Sequence, residues 1–490
     1  MKNKLSYLDS ITLWKVFGSL LLLLFILGSC QKELPSPPPP DENNNQEPQP
    51  EPEPDPGQSQ QPGNMGNFTD LNREELNPIW NEISSYGNES GFYKDIFMDG
   101  GVRLTSRRTL PASAELALSL EYYASSGTND LNLQDTLLQD ALFRGSVEDY
   151  NGVLLYPDGA PRFKMIYVNG GTSWLHGASL TEEGLQRVRD YVAAGGSYVG
   201  SCAGMFLACN SSYSYGNKLR PEFFRIWPGY ARHTGLSDSY TGHFVEPGSP
   251  LLNYYDFGGD MHVAEVRHNG GGFLYEPWGV PAGTEVLLRY NYTPITSSGL
   301  SIHNKISAWA YKPTVKGGRT VVIGSHPEGV VSGERLDLMS AMVLYAIDGV
   351  GDPQLKAELR KGVTRTMNKS TQENNPPLTK IGDRQYHHFK VAIPQGAKNV
   401  KATLTGTAGY ELNLFMAKEK FAFSKVASYS NRGGDITKTI ELQEGEYGEW
   451  YISVFCATTV DIEYMEWGGK YIGKTSVLNG VPYSISVNWD

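Results

Sequence analysis

Cysteine is scarce in this chain: four in 490 residues, too few for a disulfide framework to stand in for a hydrophobic core. Basic charge is also in deficit. Lys+Arg 42 against Asp+Glu 53 leave a formal net charge of -11, which excludes the basic surface that nucleic acid requires. His233, His243, His262 and His268 fall neither at H-x-x-x-H spacing nor in a Cys/His cluster. That argues against zinc and assigns them to solvent loops or substrate contacts, so no metal and no cofactor is expected. The apolar run near the N-terminus, Val16 to Leu27, is shorter than the ~20 residues of a membrane span. Residues 31–66 are almost free of large apolar side chains, so they cannot bury a core.

Lys2, Lys4 and Lys15 precede the apolar run, and Leu27-Gly28-Ser29-Cys30 ends it. This pattern resembles the lipobox of bacterial lipoproteins, which implies cleavage after residue 29 and lipid on Cys30. The expected location is the bacterial cell envelope, at the outer membrane, surface or periplasmic face, with membrane lipid as a partner. Residues 30–66, with Pro37-Pro38-Pro39-Pro40 and Glu51-Pro52-Glu53-Pro54-Asp55-Pro56, read as a charged tether. Extended at ~3.1 Å per residue it reaches on the order of 100 Å. The 29 tyrosines point to β-rich, extracellular material, and the more than 400 residues after the tether suffice for two folded domains.

The chemistry concentrates at Gly200-Ser201-Cys202-Ala203-Gly204. A short buried strand ends at Gly200 and a helix starts at Ala203, so small residues let the chain turn sharply and lift the Cys202 thiol above the sheet. At a helix N-terminus the dipole and free amides favour a thiolate. Thr320-Val321-Val322-Ile323-Gly324 is a second β-branched run, and it leads directly into Ser325-His326-Pro327-Glu328. An imidazole and a carboxylate two residues apart at a strand's carboxyl end suit a nucleophile's base and the group that orients it. Cys202, His326 and Glu328 are therefore the candidate catalytic residues. Asp99 and Asp158 each follow an expected strand and could lie near the pocket, although turn formation explains both.

These residues resemble the class I glutamine amidotransferase-like superfamily, whose triad is a cysteine elbow followed much later by His-x-Glu. Ile166-Tyr167-Val168-Asn169-Gly170-Gly171-Thr172 is similar to that family's glycine-pair strand. The resemblance implies an oxyanion hole from backbone amides at Gly171 and Ala203, and substrate contacts at Gly170, Thr172, Phe206 and Asp99. Within the superfamily the likeness is closest to the amidotransferase-like domain at the N-terminus of fungal biotin–protein ligases. It is carried by the glycine-pair strand, by residues 195–204, by Phe224-Arg225-Ile226-Trp227-Pro228-Gly229-Tyr230-Ala231 and by Gly324 to Glu328. Glutamine-using members carry glutamine four residues after the nucleophile, where this chain has Phe206. Hydrolysis of an amide or peptide bond is thus the simpler expected outcome, and a ligand-binding lipoprotein on the same scaffold is the alternative.

The resemblance and the alternation of strands with helices imply an α/β fold, a parallel flavodoxin-like sheet over residues 67–363. Expected elements are strands at Tyr93–Met98, 153–156 and Met165–Val168, a helix from Ala112 to Tyr123, and a helix capped at Ser179-Leu180-Thr181-Glu182 that stops at Gly195-Gly196. Residues 211–320 read as antiparallel strands and loops decorating the active-site edge. A polar linker over 364–378 leads to short alternating runs over 379–490, the pattern of a small β-sandwich. Gly409 to Met416 and Gly445 to Val454 resemble the bacterial pre-peptidase C-terminal sandwich, which implies a peptide or other amide substrate. His387 and His388 point to opposite faces of one strand.

Overall fold

A computed structural model describes residues 94–98, 102–106, 154–162, 165–168, 170–329, 333–351, 353–424, 427–458, 460–465 and 468–490. All belong to the unit Asn64–Asp490. Cys30 with its leader and tether, Asp99, and the helix expected from Ala112 to Tyr123 lie outside the described residues. Among the described residues no helix is long and apolar enough to cross a membrane.

The expected α/β, flavodoxin-like parallel sheet is not what forms; the molecule is mostly β. Strand β1 (Lys94–Met98) pairs antiparallel with β2 (Val102–Ser106) in a separate two-stranded sheet. Residues 154–156 contribute an isolated bridge, Leu155 to Pro161, and no strand.

The chain then runs through β3 (Met165–Val168), α1 (Ser173–Ala193), β4 (Ser197–Ser201), α2 (Ala203–Ala208), β5 (Ser211–Ser212), β6 (Tyr230–His233) and β7 (Ser239–Val245). It continues through β8 (His262–His268), β9 (Gly272–Leu274), β10 (Thr284–Asn291), β11 (Ile306–Tyr311), β12 (Thr320–Ile323) and α3 (Glu334–Ile347). Seven of these strands form one sheet in the order β3-β4-β12-β11-β10-β7-β8. Only β3, β4 and β12 run parallel; the other four join antiparallel. The section expected to decorate the sheet edge therefore supplies more than half of the sheet. Between β4 and β12 the only α-helix is the six-residue α2, so most successive strands lack the helix a parallel crossover needs, and they return as antiparallel neighbours instead.

Strands β3, β4 and β12 are buried along their whole lengths, as strands covered on both faces must be. Helices α1 and α2 pack on each other, while α3 lies against β4, β8 and β12. The longer helix begins at Ser173 rather than Ser179. Gly177 explains why that first stretch hides in the sequence: it reads as a helix breaker, but its Cα face abuts the Glu222 carbonyl, which a Cβ would approach to 1.8 Å.

Among the described residues beyond 354, where Val460–Met465 pairs antiparallel with Gly468–Gly473 in a two-stranded sheet of its own, two larger sheets enclose a second core. One has the order Leu355–Glu358, Tyr386–Ile393, Gly448–Cys456, Leu412–Lys418, Tyr429–Asn431; the other Arg365–Met367, Tyr483–Asn488, Lys401–Thr405, Thr437–Glu441. Phe389, Leu414 and Ile452 of the first sheet meet Ala402, Ile485 and Val487 of the second in that core. Buried ion pairs join it to the segment before β3. Asp158 is paired with Lys356, accepts from Gln385 Nε2 at 2.8 Å and lies 3.5 Å from His387 Nε2. Arg162 pairs with Asp383.

Candidate active site

Strand register brings the candidate residues together. Val168 of β3 sits opposite Gly200 of β4, and Ser201 of β4 opposite Ile323 of β12. The segments leaving the three carboxyl ends, Gly170-Gly171, Cys202 and Ser325-His326, therefore emerge side by side, the place where sheets of this kind present ligand sites.

Cys202 occupies the turn between β4 and α2 with φ 49 and ψ -103, a left-handed conformation that costs a non-glycine residue about 1–3 kcal/mol. Its N–H continues the sheet ladder to the Ile323 carbonyl at 3.0 Å. The neighbouring glycines are obligatory: a Cβ on Gly204 would come within 2.1 Å of the Val168 carbonyl oxygen, and one on Gly200 within 2.7 Å of the Gly204 backbone.

His326 is pinned by its N–H to the Arg267 carbonyl at 2.7 Å. Its Nδ1 donates to Glu328 Oε1 at 2.8 Å, which leaves Nε2 as the ring nitrogen free to serve Cys202. Burial pulls the His326 pKa down, but Cys202 and the Glu328 carboxylate outweigh it and hold it well above the ordinary range. Cys202 Sγ itself donates to the Asn269 carbonyl at 3.3 Å.

Gly170 faces the imidazole, with an added Cβ 2.3 Å from His326 Cε1, and Gly171 is exposed beside it with φ 142. Ala203 opens α2, and Thr172 is the N-cap of α1 without a side-chain cap bond. Phe206 is 2% exposed and its ring lies 4.1 Å from that of His233. Asp158 belongs to the ion-paired joint with the second core, away from the triad.

Sequence reasoning missed the layer beneath the triad. His243 and His268, expected in solvent loops or at substrate, are fully buried. Ser325 Oγ lies 3.0 Å from His243 Nε2, 3.1 Å from His268 Nδ1 and 3.1 Å from Thr241 Oγ1. His243 Nδ1 meets Ser307 Oγ at 2.8 Å and His268 Nε2 meets Thr234 Oγ1 at 2.7 Å. Burial keeps both imidazoles neutral, with pKa values pushed down to about 3. One signal was available: His243, Ser307 and Ser325 each stand in or next to a β-branched or apolar run, where a polar residue needs a partner. Among the described residues no three His, Cys, Asp or Glu side chains group as a metal ion would require.

The family model described as the N-terminal region of biotin–protein ligase matches residues 158–232, a stretch that takes in Gly170, Gly171 and Cys202 and ends before His326. No curated protein matches the chain. Among solved structures the chain is similar to the pre-peptidase C-terminal domain of collagenase from Bacillus anthracis, at 13% identity, covering 28% of this chain and 100% of that one with a TM-score of 0.17. It is also similar to PliG, a periplasmic lysozyme inhibitor of g-type lysozyme from Aeromonas hydrophila, at 12% identity over 28% of this chain and 98% of that one, TM-score 0.17. Over residues 158–232, then, the chain resembles the N-terminal region of biotin–protein ligases.

Proposed function

We propose that the protein is a cysteine-dependent hydrolase of amide or peptide bonds, related in its site to the class I glutamine amidotransferase-like enzymes. The carrying observation is Cys202 at a strained elbow, leaving a strand whose end pairs with the strand that leads into His326, an imidazole itself oriented by Glu328. Cys202 Sγ attacks the carbonyl carbon as its proton passes to His326, and the oxyanion is received by backbone amides near Gly171 and Ala203, worth ~3 kcal/mol per donor. His326 returns the proton to the leaving amine. It then takes a proton from water, which attacks the thioester and frees the acid and the thiol.

The test is labelling of the full chain with iodoacetamide near neutral pH. Cys202 is expected to react at least about a hundredfold faster than Cys209 and Cys456, whose thiols burial pushes up and out of reach. Cys202→Ala should remove the fast phase and His326→Ala should slow it. Equal rates at the three cysteines would leave the ligand-binding alternative, which the Asn269 carbonyl's hold on the thiol proton favours.

Anchoring through lipid on Cys30 completes the proposal, on the strength of Leu27-Gly28-Ser29-Cys30. Cys30→Ser should shift the protein from the membrane pellet to the soluble fraction or leave it uncleaved; unchanged cleavage and pelleting would reject the anchor.

A further inference from the structure

We propose that Ser201, supported by Tyr167, is a positioning residue that fixes the Glu328 carboxylate for His326; the inference rests on the hydrolase reading and deepens it. Glu328 is buried, and both of its donors converge on a single oxygen: Ser201 Oγ at 2.9 Å and His326 Nδ1 at 2.8 Å, both to Oε1. The other oxygen, Oε2, is buried with no hydrogen-bond partner among the described residues.

The direction of each bond follows from proton counting. An ionised carboxylate only accepts, so Ser201 spends its one hydroxyl proton on Oε1. Tyr167 Oη, 2.9 Å from Ser201 Oγ, must then be the donor to Ser201. A chain results: Tyr167 to Ser201 to Glu328, met from the other side by His326 and, beyond it, Cys202. Strand geometry builds it. Tyr167 is the register partner of Val199, and Val199 and Ser201 are two apart on β4, so Tyr167 and Ser201 face the same side of the sheet. Ser201 pairs with Ile323 at the end of the strand that leads to His326.

Removing the Ser201 hydroxyl would leave the buried carboxylate one donor in place of two and free it to turn. The imidazolium would lose support, its pKa would fall and the thiolate would need a higher pH to form. The residue immediately before the nucleophile thus acts at the far end of the triad.

The test is the pH dependence of iodoacetamide alkylation at Cys202, followed on the Cys202 peptide by mass spectrometry in the full chain. Ser201→Ala should slow the reaction about tenfold at pH 7, the size of a hydrogen bond to a charged group, and move its midpoint upward by about one pH unit. Tyr167→Phe should shift the midpoint the same way by less. On a Glu328→Gln background, Ser201→Ala should add little, because the group through which it acts is gone. A wild-type pH profile in Ser201→Ala would overturn the proposal, as would an undiminished tenfold loss on the Glu328→Gln background. If circular dichroism shows Ser201→Ala unfolded, Tyr167→Phe decides, and its unchanged midpoint overturns the chain. A fast His326→Ala enzyme would instead overturn the hydrolase reading, whereas a slow His326→Ala beside a wild-type Ser201→Ala removes only the positioning role.

Discussion

Gly170→Ala is expected to lower the reactivity of Cys202 to that of His326→Ala, a loss of about a hundredfold, the scale of a positioned base, while the protein remains folded. The added methyl would lie 2.3 Å from His326 Cε1, 3.1 Å from Nδ1 and 3.3 Å from Nε2, all inside contact distance. Its nearest neighbours belong to a side chain, so the clash is relieved by swinging the imidazole away. That rotation breaks the Nδ1 bond to Glu328 and withdraws Nε2 from Cys202 together. Gly204→Ala makes the contrast, since its methyl meets the Val168 carbonyl oxygen at 2.1 Å, and backbone cannot step aside without moving β3 or α2. For that variant the loss should appear first in thermal unfolding. Measuring alkylation and melting on both variants checks the pair: a Gly170→Ala protein that melts far below wild type, or that alkylates at the wild-type rate, refutes the close approach as its cause.

The neighbourhood of Cys202, His326 and Glu328 was legible as a sheet edge because these residues sit at the ends of short, strongly apolar runs. Val199 and Thr320 to Ile323 announce buried strands, so the residues just beyond each run are fixed at a sheet edge. The short alternating runs of the C-terminal region were legible for a similar reason, and appear as strands such as Tyr386–Ile393, Leu412–Lys418 and Gly448–Cys456. Pairing was not legible. Runs such as Glu285 to Tyr290 and Ala308 to Tyr311 look alike whether their neighbour is parallel or antiparallel, and a strand's local pattern carries no record of which distant strand it meets. Strands β7, β8, β10 and β11 do run antiparallel, as expected of residues 211–320; the flavodoxin-like expectation failed in leaving them outside the sheet, where they in fact supply four of its seven strands. Ser201 was hidden differently. A small polar residue between Gly200 and Cys202 reads as turn chemistry, and only the fold reveals that its hydroxyl meets Glu328.

Mild acid is expected to unfold the protein, through four histidines buried as neutral rings. His243, His268 and His388 have pKa values pushed down to about 3 and His387 to about 4, by burial first and then by neighbouring charge. An unfolded chain binds these protons at about 6.5. For a depressed histidine the unfolded state therefore protonates first as pH falls, so stability begins to drop near pH 6.5 and keeps dropping towards pH 3–4. Each group costs a few kcal/mol over that interval, at about 1.4 kcal/mol per pH unit, and four together rival the whole 5–15 kcal/mol of an ordinary domain. His326 works the other way: its raised pKa gives stability that is complete below pH ~6.5 and lost as pH rises through the folded value, but it is one group against four. Asp158, which Lys356 and His387 hold below the usual carboxylate range against its burial, adds a further loss only below about pH 4. Because His243 and His268 lie beneath the triad and His387 and His388 in the second core, both cores should fail within the same pH window. Thermal melts from pH 8 to pH 4 should fall steeply below pH 6, and His243→Gln with His388→Gln should flatten the slope even where it lowers the plateau. A melting temperature that stays level down to pH 4.5 would mean that these rings already carry protons in the folded protein, and the buried network beneath His326 would then have to be redrawn around charged imidazoles.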